Sequence, residues 1–156
     1  MDDSKFKKLG GWLLFYVVCC VVSVVFGIMG LIQRVGDLSD PALAAVADKY
    51  PLMTPSIWLN IVLSVIGVGF GIWMLSTLRT KSPATPAKIR RILVLNFAVA
   101  VVGAIAVVLM RLDMPAVYIG LLTGTFAVTI TAAAGMLAVW YSYFKKSARV
   151  KAYYGD

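Results

Sequence analysis

The sequence predicts an all-α integral membrane protein: a four-helix bundle with both termini cytoplasmic and a short amphipathic helix in the first outer connection. Three observations carry this. Hydrophobic residues make up 61% of the 156-residue chain and charged residues 14%, far from the roughly half apolar and quarter charged of soluble domains. The charges are also bunched. None falls between Lys8 and Arg34, Lys49 and Arg79, Arg91 and Arg111, or Asp113 and Lys145, so that each gap is 19 residues or more. A helix rising about 1.5 Å per residue needs roughly 20 apolar residues to cross the hydrocarbon core. Finally, twelve of the fifteen basic residues lie in the amino-terminal arm, the second connection or the tail, which the positive-inside rule places in the cytoplasm.

The whole chain, 1–156, reads as one domain with spans at about 9–32, 58–78, 92–110 and 116–144 and a basic cytoplasmic tail at 145–156. The first span follows Lys5, Lys7 and Lys8 as a secretory signal would. Its apolar run continues to Gln33, well past the roughly 7–15 residues of a signal's apolar region, and Val18 before Cys19 is too bulky for a lipoprotein cleavage box. It is therefore expected to be retained. In the first outer connection, Asp40 is placed to cap a helix, Pro41 suits its first position and Pro51 stops it. Leu43, Val46, Ala47 and Tyr50 share one face at i, i+3, i+4 and i+7. Such a helix packs as a lid on the span ends or offers a docking surface to a partner; the lid is the simpler expectation. Pro83 and Pro86 predict an irregular cytoplasmic connection. "RLDMP" predicts a tight hairpin between the third and fourth spans.

Chemistry inside a bilayer is usually betrayed by ionisable groups within the spans. Here the chain has no histidine and no glutamate, and all seven aspartates lie outside the spans. That removes the usual proton-relay residues, histidine metal sites and histidine-dependent triads, so neither catalytic nor metal residues are assigned, and no cofactor is expected. Cys19 and Cys20 are adjacent, hence about 100° apart on a helix, and read as small packing residues.

Small side chains recur at helical spacing. Cys20, Ser23, Gly27 and Gly30 form one seam in the first span; Asn60, Ser64, Gly67 and Gly71 form another in the second. Asn96, Ala100 and Gly103 follow in the third, and Gly120, Gly124, Ala127, Thr131, Ala134 and Ala138 in the fourth. Within lipid, close approach of small residues drives helices together, so these seams are expected to face inward. The same positions allow a second reading as an uncharged pore lining, with Asn60, Ser64, Asn96, Thr125 and Thr129. Asn60 lies near the outer end and Asn96 near the inner end, too far apart to share one site.

At the tail, Trp140, Tyr141, Tyr143 and Phe144 fall at the cytoplasmic headgroup level, followed by Lys145, Lys146, Arg149 and Lys151. Rings prefer that interface, and each basic residue near anionic lipid contributes about 1 kcal/mol. The order of residues carries more. "GGWLLFYVV" at 10–18 and "WYSYFKKSARVK" at 140–151 resemble a bacterial four-helix membrane family classed as domain-of-unknown-function family 2569, which opens on Gly-Gly-Trp-Leu and closes on Trp-x-x-Tyr-Phe-x-x-Ser-x-Arg-Val-Lys. Gly10, Gly11, Trp12, Leu13, Trp140, Tyr143, Phe144, Ser147, Arg149, Val150 and Lys151 match. Family members often carry an acid and an asparagine early in the second span; Asn60 is kept and the acid is not. The resemblance implies four spans in an inner membrane and no stated activity.

Because both matching segments sit at one membrane level, Gly10, Gly11 and Trp12 are expected to pack against Tyr143, Phe144 and Arg149. With Trp140, Lys145, Lys146 and Lys151 they form a candidate cytoplasmic site for an anionic lipid headgroup or a protein partner. The functional expectation is a non-catalytic, multi-pass protein of the bacterial inner membrane acting through lipid or protein contacts, itself included, and not through nucleic acid. The alternative is a small carrier or channel for an uncharged or lipophilic solute.

Overall fold

A computed structural model describes residues 10–155. Lys5, Lys7 and Lys8 of the amino-terminal arm and Leu9, which opens the expected first span, lie outside the described residues, as does Asp156 at the end of the tail. Among the described residues six helices follow one another: α1 (Trp12–Asp37), α2 (Pro41–Lys49), α3 (Met53–Arg79), α4 (Thr85–Leu109), α5 (Ala116–Lys146) and α6 (Ala148–Tyr154). Four of them, α1, α3, α4 and α5, are long and apolar enough to cross a membrane, and the protein is a multi-pass membrane protein.

The helices outrun the uncharged stretches. α1 continues through Arg34 to Asp37, α3 starts at Met53 instead of 58, and α4 starts at Thr85 instead of 92. Charge marks where the hydrocarbon ends, whereas Lys and Arg are good helix formers. Prolines explain two of the early starts. Pro86 is the second residue of α4 and Pro55 the third of α3, positions whose backbone N–H has no intrahelical partner to lose. The expected irregular connection thus shrinks to residues 80–84.

The tail differs more. Residues 148–154 are helical, with the Ser147 side chain accepting from the Val150 amide. The lid helix forms as its capping residues dictate: Asp40 accepts from the Ala42 amide at 2.8 Å. Its face of Leu43, Val46, Ala47 and Tyr50 packs on Met53, Ile57 and Ile61 of α3 together with Leu31, Leu38 and Met114.

α1 packs along α3, α3 along α4, and α4 along α5. Among the described residues the first and last spans meet at one end, where Tyr16 of α1 touches Trp140 and Phe144 of α5 at ring-centroid distances of 4.4 and 5.0 Å. We call this the α6 end and the opposite one the α2 end.

The small-residue seams are only partly used, and α5 corrects the expectation. Its Gly120, Gly124, Ala127, Thr131 and Ala138 are exposed and Ala134 is half-buried; a Cβ on Gly120 or Gly124 would meet no atom within 4 Å. The face of α5 turned to its neighbours is Ile119, Leu122, Phe126, Ile130, Ala133, Leu137, Trp140 and Phe144, spaced by three or four and offset by one residue from the small stripe. In lipid both stripes are equally at home, so hydrophobicity does not choose between them and fit against the neighbour does. Elsewhere Ser23, Gly67, Asn96 and Ala100 face inward as expected, but onto open space between the spans instead of a neighbouring helix, and a Cβ on Gly30 would meet no atom within 4 Å. Close approaches occur at Gly27 against Val68, Gly71 against Val24 and, tightest, Gly103 against Leu63. Cys20 is half-buried at the edge of the aromatic core.

Candidate functional site

At the α6 end the two signature segments meet. Gly11 caps α1 with φ +56°, a left-handed conformation natural to glycine, and its carbonyl accepts from the Phe15 amide at 3.0 Å. A side chain on Gly11 would also strike Arg149, whose Nη1 would lie 2.5 Å from its Cβ. Trp12 makes an edge-to-face contact with Trp140 at 6.3 Å, and Tyr143 packs on both Trp140 and Phe144. Aromatic pairs in such geometry contribute beyond simple burial.

The cluster is filled. Leu13, Tyr16, Trp140 and Phe144 are buried with Val150 and Tyr154 of α6. Tyr154 donates its hydroxyl to the Leu78 carbonyl at 3.1 Å, and Lys81 lies 5.0 Å over the Tyr153 ring. α6 is therefore pinned to the α3–α4 connection. Burial raises the Tyr154 phenol above its ordinary pKa, with Tyr153 and Tyr143 adding to the shift. Of the expected site residues, Gly10 is half-buried, Arg149 is half-buried against Gly11, and Trp12, Lys145, Lys146 and Lys151 face outward. The rings form a core and the lysines a rim. The Tyr143 hydroxyl is buried with no hydrogen-bond partner among the described residues.

The α2 end holds a second constellation that the charge pattern alone uses only for topology. Arg34 of α1 donates from Nη1 to Asn60 Oδ1 at 2.8 Å, and Arg111, in the α4–α5 turn, donates from Nε to Ser56 Oγ at 2.8 Å. Ser56 and Asn60 are one turn apart on α3. The Asn60 amide donates to the Ser56 carbonyl at 2.9 Å, and the Ser56 hydroxyl donates to the Met53 carbonyl at 2.7 Å. One polar ladder thus ties α1, α3 and the α4–α5 turn. Burial lowers the Arg111 pKa, and the charge of Arg34 lowers it further, so the two guanidiniums lie within each other's field. The sequence signal was available: Arg34 and Arg111 stand in the two connections otherwise poor in basic residues.

Between the ends, the open side of the row leaves an interior groove. Its upper part, about 230 Å³, runs from Arg34, Asn60 and Ser64 to Asn96, Phe97 and Ala133. Its lower part, about 280 Å³, shares Asn96, Phe97 and Ala133 and ends on Tyr16 and Trp140. Asn60 and Asn96, expected to be too far apart for one site, line opposite ends of the same upper part. The hydroxyls along it are spent on their own helices: Ser64 donates to the Asn60 carbonyl and Thr129 to the Thr125 carbonyl. Below its mouth the groove is mainly apolar, with the Asn96 carboxamide and the Ser23 hydroxyl as its polar lining. Thr125 lies instead beside α2, in a separate crevice of about 640 Å³.

Comparison with curated proteins and with solved structures brings up no match. Residues 6–154, spanning both signature segments and all six helices, match the family described as "Protein of unknown function (DUF2569)", and the chain belongs to that family.

Proposed function

We propose that this is a non-catalytic protein of the bacterial inner membrane that works by contact, admitting an acyl chain or similar lipophilic body sideways between α1 and α5. One observation carries this reading: α1, α3, α4 and α5 pack in a row, and a mainly apolar groove runs between them. The chain's composition supports it, since the sequence offers no histidine or glutamate for acid–base work. In this reading the α6 end is cytoplasmic, with Lys145, Lys146 and Lys151 against anionic headgroups of that leaflet.

The test is lipid retention. Purified protein exchanged into mild detergent should keep lipid in native mass spectrometry, and Ala133→Trp, which fills the groove where its two parts join, should keep one molecule fewer. Equal retention by both proteins would rule the groove out. Labelling of cysteines introduced at 113 and 152 from either side of intact cells tests the orientation.

A second reading, carriage of a lipophilic or uncharged solute, is favoured by the shared lining of the two groove parts, which makes the path longitudinal. It predicts flux of such a solute from protein-loaded vesicles, blocked by the same tryptophan; retention without flux leaves the contact reading.

A further inference from the structure

A cavity at the α2 end plays no part in the function proposed above. It is a crevice of about 640 Å³ roofed by α2 and floored by the first turns of α5. Its walls are apolar, from Leu43 and Val46 on one side to Ile119 and Leu122 on the other, yet two cations line it, Lys49 and Arg111. Tyr50 and Tyr118 line it too, rings of the kind that settle at the headgroup level.

Neither cation has an ion-pair partner among the described residues. Among the described residues Arg111 spends Nε on Ser56 Oγ and makes no ion pair, although Asp113 stands two residues away. Lys49 sits 5.7 Å over the Tyr50 ring and likewise makes no ion pair, with Asp48 beside it in sequence. Ser56 itself is fully buried, so the bond to it fixes the Arg111 guanidinium while leaving the fork's remaining N–H groups to point elsewhere. Burial and the nearby charge of Arg34 both disfavour the charged form of Arg111. An anion there would relieve both.

The depth of the crevice also has a natural match. It follows α5 from Pro115 to Thr125, about 15 Å at 1.5 Å per residue, which equals half of a hydrocarbon core about 30 Å thick. The Thr125 hydroxyl at its foot donates to the Leu121 carbonyl and adds no polarity there.

The geometry points to a binding site for one anionic phospholipid of the leaflet at the α2 end, its phosphate held by Arg111 and Lys49 and an acyl chain laid along α5 beneath the α2 lid. A guanidinium fixed by one bond and open on its other edge suits a phosphate, which accepts from Arg in a forked geometry. The amphipathic lid explains itself in the same way, since its apolar face covers the chain and Lys49 meets the head.

The test uses the whole protein in equimolar phosphatidylglycerol–phosphatidylcholine vesicles, with lipid bound after extraction counted by native mass spectrometry. Two cations near the phosphate should favour phosphatidylglycerol about thirtyfold, and Lys49→Gln or Arg111→Gln should each remove about fivefold of that. Lys49 is exposed and its variant keeps the Ser56 bond intact, so it reports even where Arg111→Gln does not fold. A phosphatidylglycerol with a photoreactive head should label residues 43–53 and 110–119 of the unaltered protein. The proposal is overturned by equal retention of the two lipids, by selectivity that survives both substitutions, by label confined to 140–151, or by displacement of the lipid by inorganic phosphate alone. Ala133→Trp, which blocks the interior groove, should leave this selectivity unchanged, so failure of one site is separable from failure of the other.

Discussion

Tyr154 of α6 reaches the carbonyl of Leu78 in the last turn of α3 with a 3.1 Å hydrogen bond. That carbonyl is one of the four at a helix end that have no partner within the helix. The contact therefore satisfies a buried group and fixes α6 in one step.

Tyr154→Phe should destabilise the protein by about 1–3 kcal/mol, the cost of leaving a buried acceptor unmet. Thermal unfolding in detergent would measure it. A change within error would mean that water or lipid headgroups reach the carbonyl instead.

The same hydroxyl sets an upper pH limit. Because burial raises its pKa above the ordinary 10.0, the folded protein holds this proton more tightly than the unfolded chain does. The stabilisation is complete below pH 10.0 and declines as pH rises beyond it. Melting temperature should fall in that range for the native sequence and fall less steeply for Tyr154→Phe.

Gly11→Ala combines two penalties. A backbone at φ +56° and ψ −137° costs a residue with a Cβ about 1–3 kcal/mol, and the added methyl must displace the flexible end of Arg149 as well. In a double-mutant cycle with Arg149→Ala the second substitution should relieve the collision and leave the backbone term. Additive effects would separate the two residues.

Asn60→Ala removes the acceptor for Arg34 Nη1 and the amide bonded to the Ser56 carbonyl. A loss of about 1.5–3 kcal/mol is expected for a hydrogen bond to a charged group, read by unfolding in mixed micelles. Asn60→Asp should retain most of the stability, since an acid there still accepts from Arg34.

Gly103→Val would place its Cβ 2.5 Å from Leu63 Cδ1. Overpacking of this kind typically costs about 1–3 kcal/mol. Leu63→Ala in the same chain should recover part of it, as the obstruction is a side chain and not backbone.

The spans were legible because charge is excluded from hydrocarbon, and the lid helix because Asp40 and Pro41 act locally on the amides that follow them. The meeting of Gly11 with Arg149 was legible from the two signature segments lying at one membrane level. Two things were not. The outward turn of the Gly120–Ala138 stripe depends on which of two adjacent apolar stripes fits α4, a question of shape that spacing does not encode. The helix in 148–154 depends on burying Val150 and Tyr154 in a cluster with residues from four other helices, information absent from a short segment rich in charge.

The contact between α6 and the start of α1 also governs how the protein is assembled during synthesis. Gly11, Leu13 and Tyr16 are synthesised well before the residues that cover them, from Trp140 to Tyr154, which emerge only as the last span is completed. Until then the first span must wait in the bilayer with half of its aromatic core open, so folding at that end is completed after insertion, and a chain interrupted before residue 148 would be inserted yet unlatched.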